Sequence, residues 1–451
     1  MKTVDEHVAG ILAAVAVLPA RRVPLATAHG CVLAADVRAT RALPGFDNSA
    51  MDGYAVRAAE VATASPENPT VLRVAGEIAA GAGFLDPVEP GTAVRIMTGA
   101  PFPPGADAVV QVEWTAGGAF TDDNRATDDD RATDDNRATD DNPASVAVLR
   151  PVRRGQHIRR AGEDVTPGDL VLAAGTLLGA AQIGLLAAIN VARPPVHQRP
   201  RVAVLSTGSE LVGVGERVGP GQIVDSNSHA VAAAAREAGA EVIRLTGVPD
   251  DQERFDAVLR AALADADAVV TTGGVSVGAH DIVKEALAAT GQVRFEQLAM
   301  QPGKPQGFGV IDGVPVFTLP GNPVSALVSF ELFVRPALRR MRGLHGPDRP
   351  TLTVTATEAL SSPAGKRSFL RVVVSRDVNG TLVARSAGGQ GSHQLSAAAG
   401  ANALMVVPED VTQTEPGMAF TAILLTADPA DALLAAATLT SQLVPVAAGE
   451  A

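Results

Sequence analysis

The alternation of apolar runs and helix-like segments between Arg201 and Leu338 limits the possible folds of this chain most strongly. "RVAVLSTGSEL" is followed by "SHAVAAAAREAGA", and "DAVVTTGGVSVG" is followed by "DIVKEALAATG". Two further pairs of the same kind lie between and after them. Strands alternating with helices of 10 to 15 residues indicate βαβ units, which build a parallel sheet. We therefore predict an α/β domain with a central parallel sheet.

Four turns follow the predicted strands of this sheet: "STGSEL" (Ser206–Leu211), "VPDD" (Val248–Asp251), "TTGGVSVGAHD" (Thr271–Asp281) and "LPGNPVS" (Leu319–Ser325). In an open parallel sheet, ligands bind beyond the carboxyl ends of the strands, where these turns meet. The third turn has the layout of a phosphate-binding loop but matches neither standard nucleotide-binding pattern. The glycines allow the backbone to approach an anion closely.

Carboxylates and one lysine give these turns a specific chemistry. Glu210, Asp250 and Asp281 would repel one another and an anionic ligand, and a divalent cation such as Mg²⁺ resolves that repulsion. Lys304, in "AMQPGKP", presents a cation from a proline-rich turn. Simpler explanations remain open: Asn322 and Asp281 suit helix starts, and Lys304 suits an ordinary surface.

The rest of the chain reads as β-rich segments on either side of this domain. An N-terminal helix precedes short Val-rich runs such as "TVLRVAGEI", and "LTVTATEAL" and "FLRVVVSRD" follow the α/β region. We predict a multidomain α/β plus β protein whose parts are an N-terminal elongated α+β domain (1–46 and 149–177), an inserted β-rich domain (47–148), the α/β domain (178–344) and a C-terminal β-barrel-like domain (345–451).

A six-residue repeat, "TDDNRATDDDRATDDNRATDDNPA", occupies Thr121–Ala144. Its nine Asp and three Arg carry a net charge of −6, half of the −12 of the whole chain. No side chain larger than Ala is apolar, so the repeat cannot build a core. We interpret it as a solvated loop in preference to a divalent-cation site, because it lacks the Gly and Glu of a calcium loop.

Composition excludes several classes of function. A net charge of −12 with 3% aromatic residues argues against a nucleic-acid surface. Cys31 is the single cysteine, so the chain has neither an internal disulfide nor a cysteine-based zinc site. The start of the chain carries acidic residues and reads as an amphipathic helix, and no apolar run is long enough to span a membrane. We expect a cytoplasmic protein.

The stretch "PGFDNSAMDGYAV" (Pro44–Val56) combines turn residues with Phe46, Met51 and Tyr54. Turn chemistry explains the Asn, Asp and Gly residues but not the interleaved apolar ones. A loop that anchors itself and presents polar groups is the functional interpretation.

"FDNSAMDGYAV", "IMTGAP", "STGSEL", "TTGGVSVGAHD", "PGKP" and "LPGNPVSA" occur here in the order found in molybdopterin molybdenumtransferases. The chain resembles this MoeA family, whose animal relative is the E domain of gephyrin, over nearly its whole length except the Asp-rich repeat. The resemblance implies insertion of molybdate into adenylylated molybdopterin with release of AMP, assisted by Mg²⁺. It also implies a homodimer whose subunits share each active site, and the adenylyltransferase of the same pathway as a candidate partner.

The resemblance also assigns roles to residues. It implies catalytic roles for Asp52 of the partner subunit, Glu210, Asp250, Asp281 and Lys304, with the metal held by Glu210, Asp250 and Asp281. The implied substrate-binding residues are Thr98, Gly273, Gly274, Ser276, Gln301, Pro320, Asn322, Pro323, Arg371 and Ser392. Catalysis would consist of positioning and charge stabilisation, with molybdate attacking the phosphoanhydride or directing its hydrolysis and no side chain acting as a covalent nucleophile.

One residue departs from the family pattern. Gln301 stands where family members often have a lysine, which predicts weaker molybdate affinity unless Arg371 compensates.

Two other functions are alternatives to the transferase. The adenylylating enzyme of the pathway shares the sheet domain but is a small single-domain protein without the flanking regions. A binding scaffold, the role gephyrin illustrates, need not keep Asp52, Glu210, Asp281 and Lys304.

Overall fold

The computed structural model describes residues 1–83, 86–116, 145–248, 251–275, 282–344 and 349–426. These residues form two compact units. The first contains Met1–Ala35, Ala174–Gly179 and Pro195–Ala451, and the second contains Asp36–Ala173 and Ala180–Pro194. The four predicted domain boundaries stay a prediction.

A six-stranded sheet is the centre of the first unit. Its first four strands are parallel to one another, and the fifth is antiparallel to both of its neighbours. In spatial order the strands are Glu241–Val248, Arg201–Thr207, Ala268–Thr272, Val314–Leu319, Pro305–Ile311 and Val293–Gln297.

Apolar side chains on both faces of this sheet explain its near-continuous apolar strands. Along one strand, Val202 and Val204 belong to one buried cluster, whereas Ala203 and Leu205 belong to another. Side chains along a β-strand alternate between the two faces of its sheet, so a strand that is buried on both faces is apolar at nearly every position. The sheet is therefore a middle layer with a core on each side.

Helices cover both faces of the sheet. The first core is closed by helices Val4–Ala14, Asn227–Glu237, Pro323–Ser329 and Arg335–Met341, and the second by Gln252–Asp265 and Ile282–Ala289. Local capping fixes two of the starts. Thr3 and Glu6 form a capping box at helix Val4–Ala14, and the Asp251 carboxylate accepts a hydrogen bond from the Arg254 N–H at the start of helix Gln252–Asp265. A π-helical turn, Phe330–Val334, joins helices Pro323–Ser329 and Arg335–Met341.

The C-terminal part of the first unit is a closed barrel. Its five strands follow one another around the barrel, and a sixth short strand, Met300–Gln301, pairs with the first of them. Around the barrel the strands are Arg367–Arg376, Leu382–Ser386, Thr351–Ala356, Ala419–Leu424 and Ala403–Val407, and a short helix, Leu395–Ala399, lies between two of them in the chain. Closure leaves these strands without free edges. It confirms the barrel-like prediction.

The second unit is built on a six-stranded mixed sheet. Its strands, in spatial order, are Ala108–Gln111, Gly53–Val56, Thr92–Ile96, Thr70–Ile78, Ser145–Val148 and Thr115–Ala116. Two short pairs add to it, Ile158–Arg159 with Asn48–Ser49 and Leu170–Leu172 with Val37–Arg38, together with helix Ala180–Ala188. Tyr54, Val56 and Val110 are fully buried in its core. This confirms the β-rich prediction for this part of the chain.

Two small sheets in the first unit complete the description. One contains Ala20–Arg22, Pro195–His197 and Val32–Leu33, and the other pairs Leu211–Val212 with Ile223–Val224 in parallel. Single 3₁₀ turns lie at Leu25–Thr27, Ala58–Val61 and Val112–Trp114. Across the described residues, every helix is too short or too polar to cross a bilayer.

Candidate functional site

The strand register brings several predicted turns to one edge of the central sheet. The three parallel strands that end at Thr207, Thr272 and Leu319 are neighbours with matched registers. The antiparallel strand Pro305–Ile311 pairs Gly307 with Thr318, so its first residue lies level with the end of that neighbour. We call this end of the sheet the carboxyl edge. The turn that contains Lys304 therefore lies at the same edge as the turns after the parallel strands.

The first turn at the carboxyl edge holds the exposed carboxylate of Glu210. The turn is closed by the Leu211 N–H, which donates to the Gly208 carbonyl oxygen at 3.1 Å. Gly208 has φ of +147°, and a Cβ there would lie 2.6 Å from a Glu210 carboxylate oxygen. The positive φ favours glycine here, and a larger residue would also have to displace the exposed Glu210 carboxylate.

The second turn contains two successive glycines in the left-handed region, Gly273 at φ +93° and Gly274 at φ +82°. The Gly273 N–H donates to the Leu319 carbonyl oxygen at 2.9 Å, which ties this turn to the end of the neighbouring strand. Two adjacent positive φ values exclude ordinary L-residues without strain. The predicted phosphate-loop glycines thus have the backbone conformation that only glycine adopts readily.

The third turn leads into the helix that begins at Pro323. Pro320 is buried, Asn322 is exposed at the N-cap position, and Pro323 occupies the first turn of the helix. The Asn322 side chain makes no capping hydrogen bond, so the capping explanation for this residue is wrong. The Asn227 amide instead donates to the Gly321 carbonyl oxygen at 2.6 Å and joins another helix start to the same turn.

The turn with Lys304 is held rigidly while its ammonium stays available. The Gln306 amide donates at 2.6 Å to both the Gly303 carbonyl oxygen and the Ser329 hydroxyl. Lys304 is half-buried, and within the described ranges its Nζ has no hydrogen-bond or ion-pair partner. Gln301, three residues earlier, pairs with Ser368 of the barrel. The turn therefore links the central sheet to the barrel and presents an unpaired cation.

The barrel contributes Ser392 to the start of helix Pro323–Ser329. The Val324 N–H donates to the Ser392 carbonyl oxygen at 3.1 Å, so the loop before helix Leu395–Ala399 lies against the Asn322–Pro323 turn. The family resemblance implies a substrate-binding role for Ser392, and this contact places it beside the predicted site residues Asn322 and Pro323.

Arg371 braces that same loop. Its side chain is 1% exposed, and its Nη2 donates to the Gly389 and Gly391 carbonyl oxygens at 3.2 Å each. Burial lowers the pKa of Arg371. Its Nε has no partner among the described residues. In this structure the guanidinium therefore holds the loop that carries Ser392, a role that sequence comparison did not suggest.

Asp52 and Thr98 lie in the second unit and contact each other directly. The Thr98 N–H donates to Asp52 Oδ1 at 2.6 Å, and both residues are exposed. This backbone hydrogen bond from Thr98 lowers the pKa of Asp52, so the carboxylate is charged at neutral pH. Next to them, Gly53 packs against the Val110 carbonyl, where a Cβ has no space. Asp52 and Thr98, which lie in two different motifs and are 46 positions apart, thus meet at one exposed carboxylate.

Three predicted residues, Asp250, Ser276 and Asp281, lie outside the described residues, as does the Asp-rich repeat. Of the predicted metal ligands, Glu210 alone is described. The described ranges contain no group of three or more His, Cys, Asp or Glu side chains placed to hold a metal ion.

Sequence reasoning missed several polar groups near the carboxyl edge. Asn227 is one, and the buried hydroxyls of Ser206, Thr271 and Thr318, which have no hydrogen-bond partner among the described residues, are others. A buried hydroxyl without a partner costs roughly 1–3 kcal/mol. Their signal was Ser or Thr near the ends of three otherwise apolar strands, "VAVLST", "AVVTT" and "PVFTL".

Comparison with known proteins covers almost the whole chain. Residues 2–190 match the MoeA N-terminal region (domain I and II), residues 203–340 match the probable molybdopterin binding domain, and residues 353–425 match the MoeA C-terminal region (domain IV). The three matches follow the order of the motifs along the sequence.

Individual relatives agree with these matches. Molybdopterin molybdenumtransferase 2 of Mycobacterium tuberculosis is 45% identical over 92% of this chain and 98% of its own length. Molybdopterin molybdenumtransferase of Haemophilus influenzae is 36% identical over 84% of this chain and 87% of its own. The crystal structure of the molybdopterin biosynthesis MoeA protein from Pyrococcus horikosii superposes with a TM-score of 0.73 at 30% identity, covering 94% of this chain and 99% of that one. The chain therefore belongs to the MoeA family, of which the Mycobacterium tuberculosis and Haemophilus influenzae relatives are named molybdopterin molybdenumtransferases.

Proposed function

We propose that this protein acts in molybdenum cofactor biosynthesis by inserting molybdate into adenylylated molybdopterin with release of AMP. Family membership supports the transferase class and the molybdopterin substrate. One observation carries the finer assignment. The register of Pro305–Ile311 against Val314–Leu319 brings the unpaired Lys304 to the same sheet edge as the glycine turns.

The proposed substrates are both anionic, and the carboxyl edge suits them. Left-handed Gly273 and Gly274 allow the phosphates of the pterin nucleotide to approach the backbone. Lys304 offers its ammonium to the molybdate oxygens, because Gln306 and Ser329 hold its turn in place. Charge stabilisation of this kind accelerates cleavage of a phosphoanhydride without a covalent intermediate.

Mg²⁺ fits the chemistry of this edge in one respect that the structure describes. Glu210 is an exposed carboxylate at the carboxyl edge, and carboxylate oxygens are the ligands that Mg²⁺ prefers. We propose that Glu210, Asp250 and Asp281 hold the ion, which would neutralise phosphate charge when bound. Glu210 then serves to position that charge next to the glycine turns.

The proposed active form is a cytoplasmic homodimer in which Asp52 of the partner subunit completes each site. The exposed Asp52–Thr98 pair supports this, because a charged carboxylate fixed by a backbone amide is oriented towards solvent and open to a second molecule. The adenylyltransferase of the same pathway is the proposed supplier of the adenylylated substrate.

Incubation of the purified protein with adenylylated molybdopterin and molybdate tests the proposal, with AMP as the readout. We expect AMP release that depends on molybdate and Mg²⁺, and loss of that release in Asp281→Asn with folding unchanged. Binding of the pterin nucleotide without AMP release would contradict the enzymatic role and favour a scaffold. Full activity of Asp281→Asn would contradict the metal assignment.

A further inference from the structure

A second polar cavity lies at the opposite, amino-terminal edge of the central sheet. It has a volume of 650 Å³, and its charged lining consists of Arg21, His29, Arg199, Arg201, Glu241 and Asp267. Arg201 and Glu241 are the first residues of two neighbouring strands, and Asp267 immediately precedes a third. We call this space the amino-edge cavity. Its size falls in the range of small-molecule sites.

The amino-edge cavity is distinct from the site proposed above. The strand that begins at Arg201 runs seven residues to Thr207, next to the Glu210 turn. A strand of that length spans about 20 Å. A ligand in the cavity therefore cannot contact the carboxyl edge, and binding at the two edges can be measured separately.

The guanidinium groups of Arg199 and Arg21 have neutral partners. Arg199 donates to the His29 carbonyl oxygen, and Arg21 lies against the side-chain amide of Gln198. The Arg201 backbone N–H donates to Asp267 Oδ2 at 2.7 Å. Within the described ranges the Arg201 guanidinium has no partner. None of these three side chains forms an ion pair with a carboxylate of the described residues.

A fourth arginine lies buried behind the cavity and adds to its positive charge. Arg342 is 8% exposed and donates to the Ala238 carbonyl oxygen at 2.7 Å and to the Gly30 carbonyl oxygen at 2.6 Å. Burial and the nearby charges of Arg199 and Arg339 lower the pKa of Arg342. Gly239 leaves the space that its guanidinium occupies. The positive charges of Arg199 and Arg342 repel each other, and an anion bound beside them would reduce that repulsion.

We propose that the amino-edge cavity binds a small phosphate monoester, whose phosphate group is held by Arg21, Arg199 and Arg201. Guanidinium groups bind phosphate oxygens in pairs, and several converging ones favour a dianion over a monoanion. Glu241 and the free oxygen of Asp267 then accept hydrogen bonds from hydroxyl groups on the rest of the ligand. The chain's charge of −12 makes a polynucleotide an unfavourable occupant.

Calorimetric titration of the full chain with ribose 5-phosphate, and separately with inorganic phosphate, tests this site. We expect saturable binding of both, tighter for ribose 5-phosphate, and at least tenfold weaker binding in Arg201→Gln and in Arg199→Gln. Arg201→Gln is the decisive variant, because the Arg201 guanidinium has no partner among the described residues whose loss would disturb folding. Arg22→Gln is the matched control, since it removes a charge from the same strand as Arg21 but lies outside the cavity, and its affinity should change less than twofold.

Lys304→Gln separates this proposal from the proposed function. It should leave ribose 5-phosphate binding unchanged, because Lys304 is at the other edge. Absence of saturable binding, or equal affinity in Arg201→Gln and the wild type, would overturn the proposal. So would phosphate binding that is lost in Lys304→Gln alone, or a DNA duplex that binds more tightly than ribose 5-phosphate. None of these outcomes would affect the AMP-release assay.

Discussion

Two arginine clusters in the first unit differ in whether their guanidinium groups donate to a carboxylate. In the paired cluster, Arg335 and Arg349 both donate to Glu331, with Nε–Oε2 distances of 2.7 and 3.0 Å. At the amino-edge cavity, Arg199 and Arg342 lie near each other and donate to backbone carbonyls. Burial lowers the pKa of Arg349, but its hydrogen bonds to Glu331 and the negative charge of that carboxylate outweigh burial and raise the net value. The pKa of Arg342 is lowered.

The difference separates a structural role from a binding role. Around Glu331 the charges satisfy one another within the protein, so the cluster fixes the helix Arg335–Met341 against the segment before strand Thr351–Ala356. At the cavity, Arg21, Arg199 and Arg201 form no ion pair with a carboxylate of the described residues, although Glu241 and Asp267 also line it, so these guanidinium groups are available to a ligand. Mutations in the first cluster should therefore lower the stability of the protein, and mutations in the second should lower its affinity for the ligand.

The largest effect is expected from breaking the paired cluster. Glu331→Gln removes the shared carboxylate and leaves two buried guanidinium groups, and we expect the free energy of unfolding to fall by about 3 kcal/mol. Chemical denaturation at pH 7 measures this. Glu237→Gln is the matched control, because Glu237 contacts the same two arginines but is 63% exposed, and its loss should be below about 1 kcal/mol. Equal losses in both variants would contradict the structural role of the buried carboxylate.

Lys304, whose ammonium has no partner among the described residues, tests whether an unpaired cation also marks function at the carboxyl edge. Lys304→Gln should lower AMP release by about 100-fold, which corresponds to about 2.7 kcal/mol of transition-state stabilisation. Unfolding should be unchanged, because the ammonium has no partner among the described residues. Lys366→Gln is the control and should retain activity. A loss of stability in Lys304→Gln comparable to that of Glu331→Gln would remove the distinction between the clusters.

The pH dependence of stability sharpens the comparison further. Burial raises the pKa of Glu331, but hydrogen bonds from Arg335 and Arg349 outweigh it and the net pKa lies below the ordinary value. The stability that it contributes is therefore fully present above about pH 4.3, the value in unfolded chains, and is lost as pH falls through the folded pKa. The difference between wild type and Glu331→Gln should be constant from pH 7 to 5 and shrink below pH 4. A difference that persists unchanged at pH 3 would contradict the sign.

The fold was largely predictable, because its main signals are local. The helices at Asn227–Glu237 and Gln252–Asp265 and the strands at Arg201–Thr207 and Ala268–Thr272 follow from apolar runs and periodicity. The closed barrel was predicted only in outline. Strand Met300–Gln301 pairs with a strand that begins 66 positions later, and local periodicity carries no information about such contacts.

The site was predictable where one residue type is chemically required. Gly208, Gly273 and Gly274 need positive φ, and Lys304 is a cation in a constrained turn. Partner choice was not predictable. Arg371 turned out to hold a loop, and Asn227 reaches a turn 94 positions away. The amino-edge cavity was also missed, because Arg21 is brought close to Arg199 and Arg201 by the pairing of Ala20–Arg22 with Pro195–His197, which local sequence does not reveal.

The smallest effect is expected from adding a second cation beside Lys304. Gln301 is half-buried at the start of that turn, and a charge-assisted hydrogen bond to an oxyanion is about twice as strong as a neutral one. We expect Gln301→Lys to lower the molybdate concentration for half-maximal AMP release about fivefold, or about 1 kcal/mol. Gln297→Lys, an exposed residue on the preceding strand, adds the same charge outside the turn and should change it less than twofold. A fivefold change in both variants would indicate long-range attraction of molybdate, and no change in Gln301→Lys would remove Gln301 from the molybdate site.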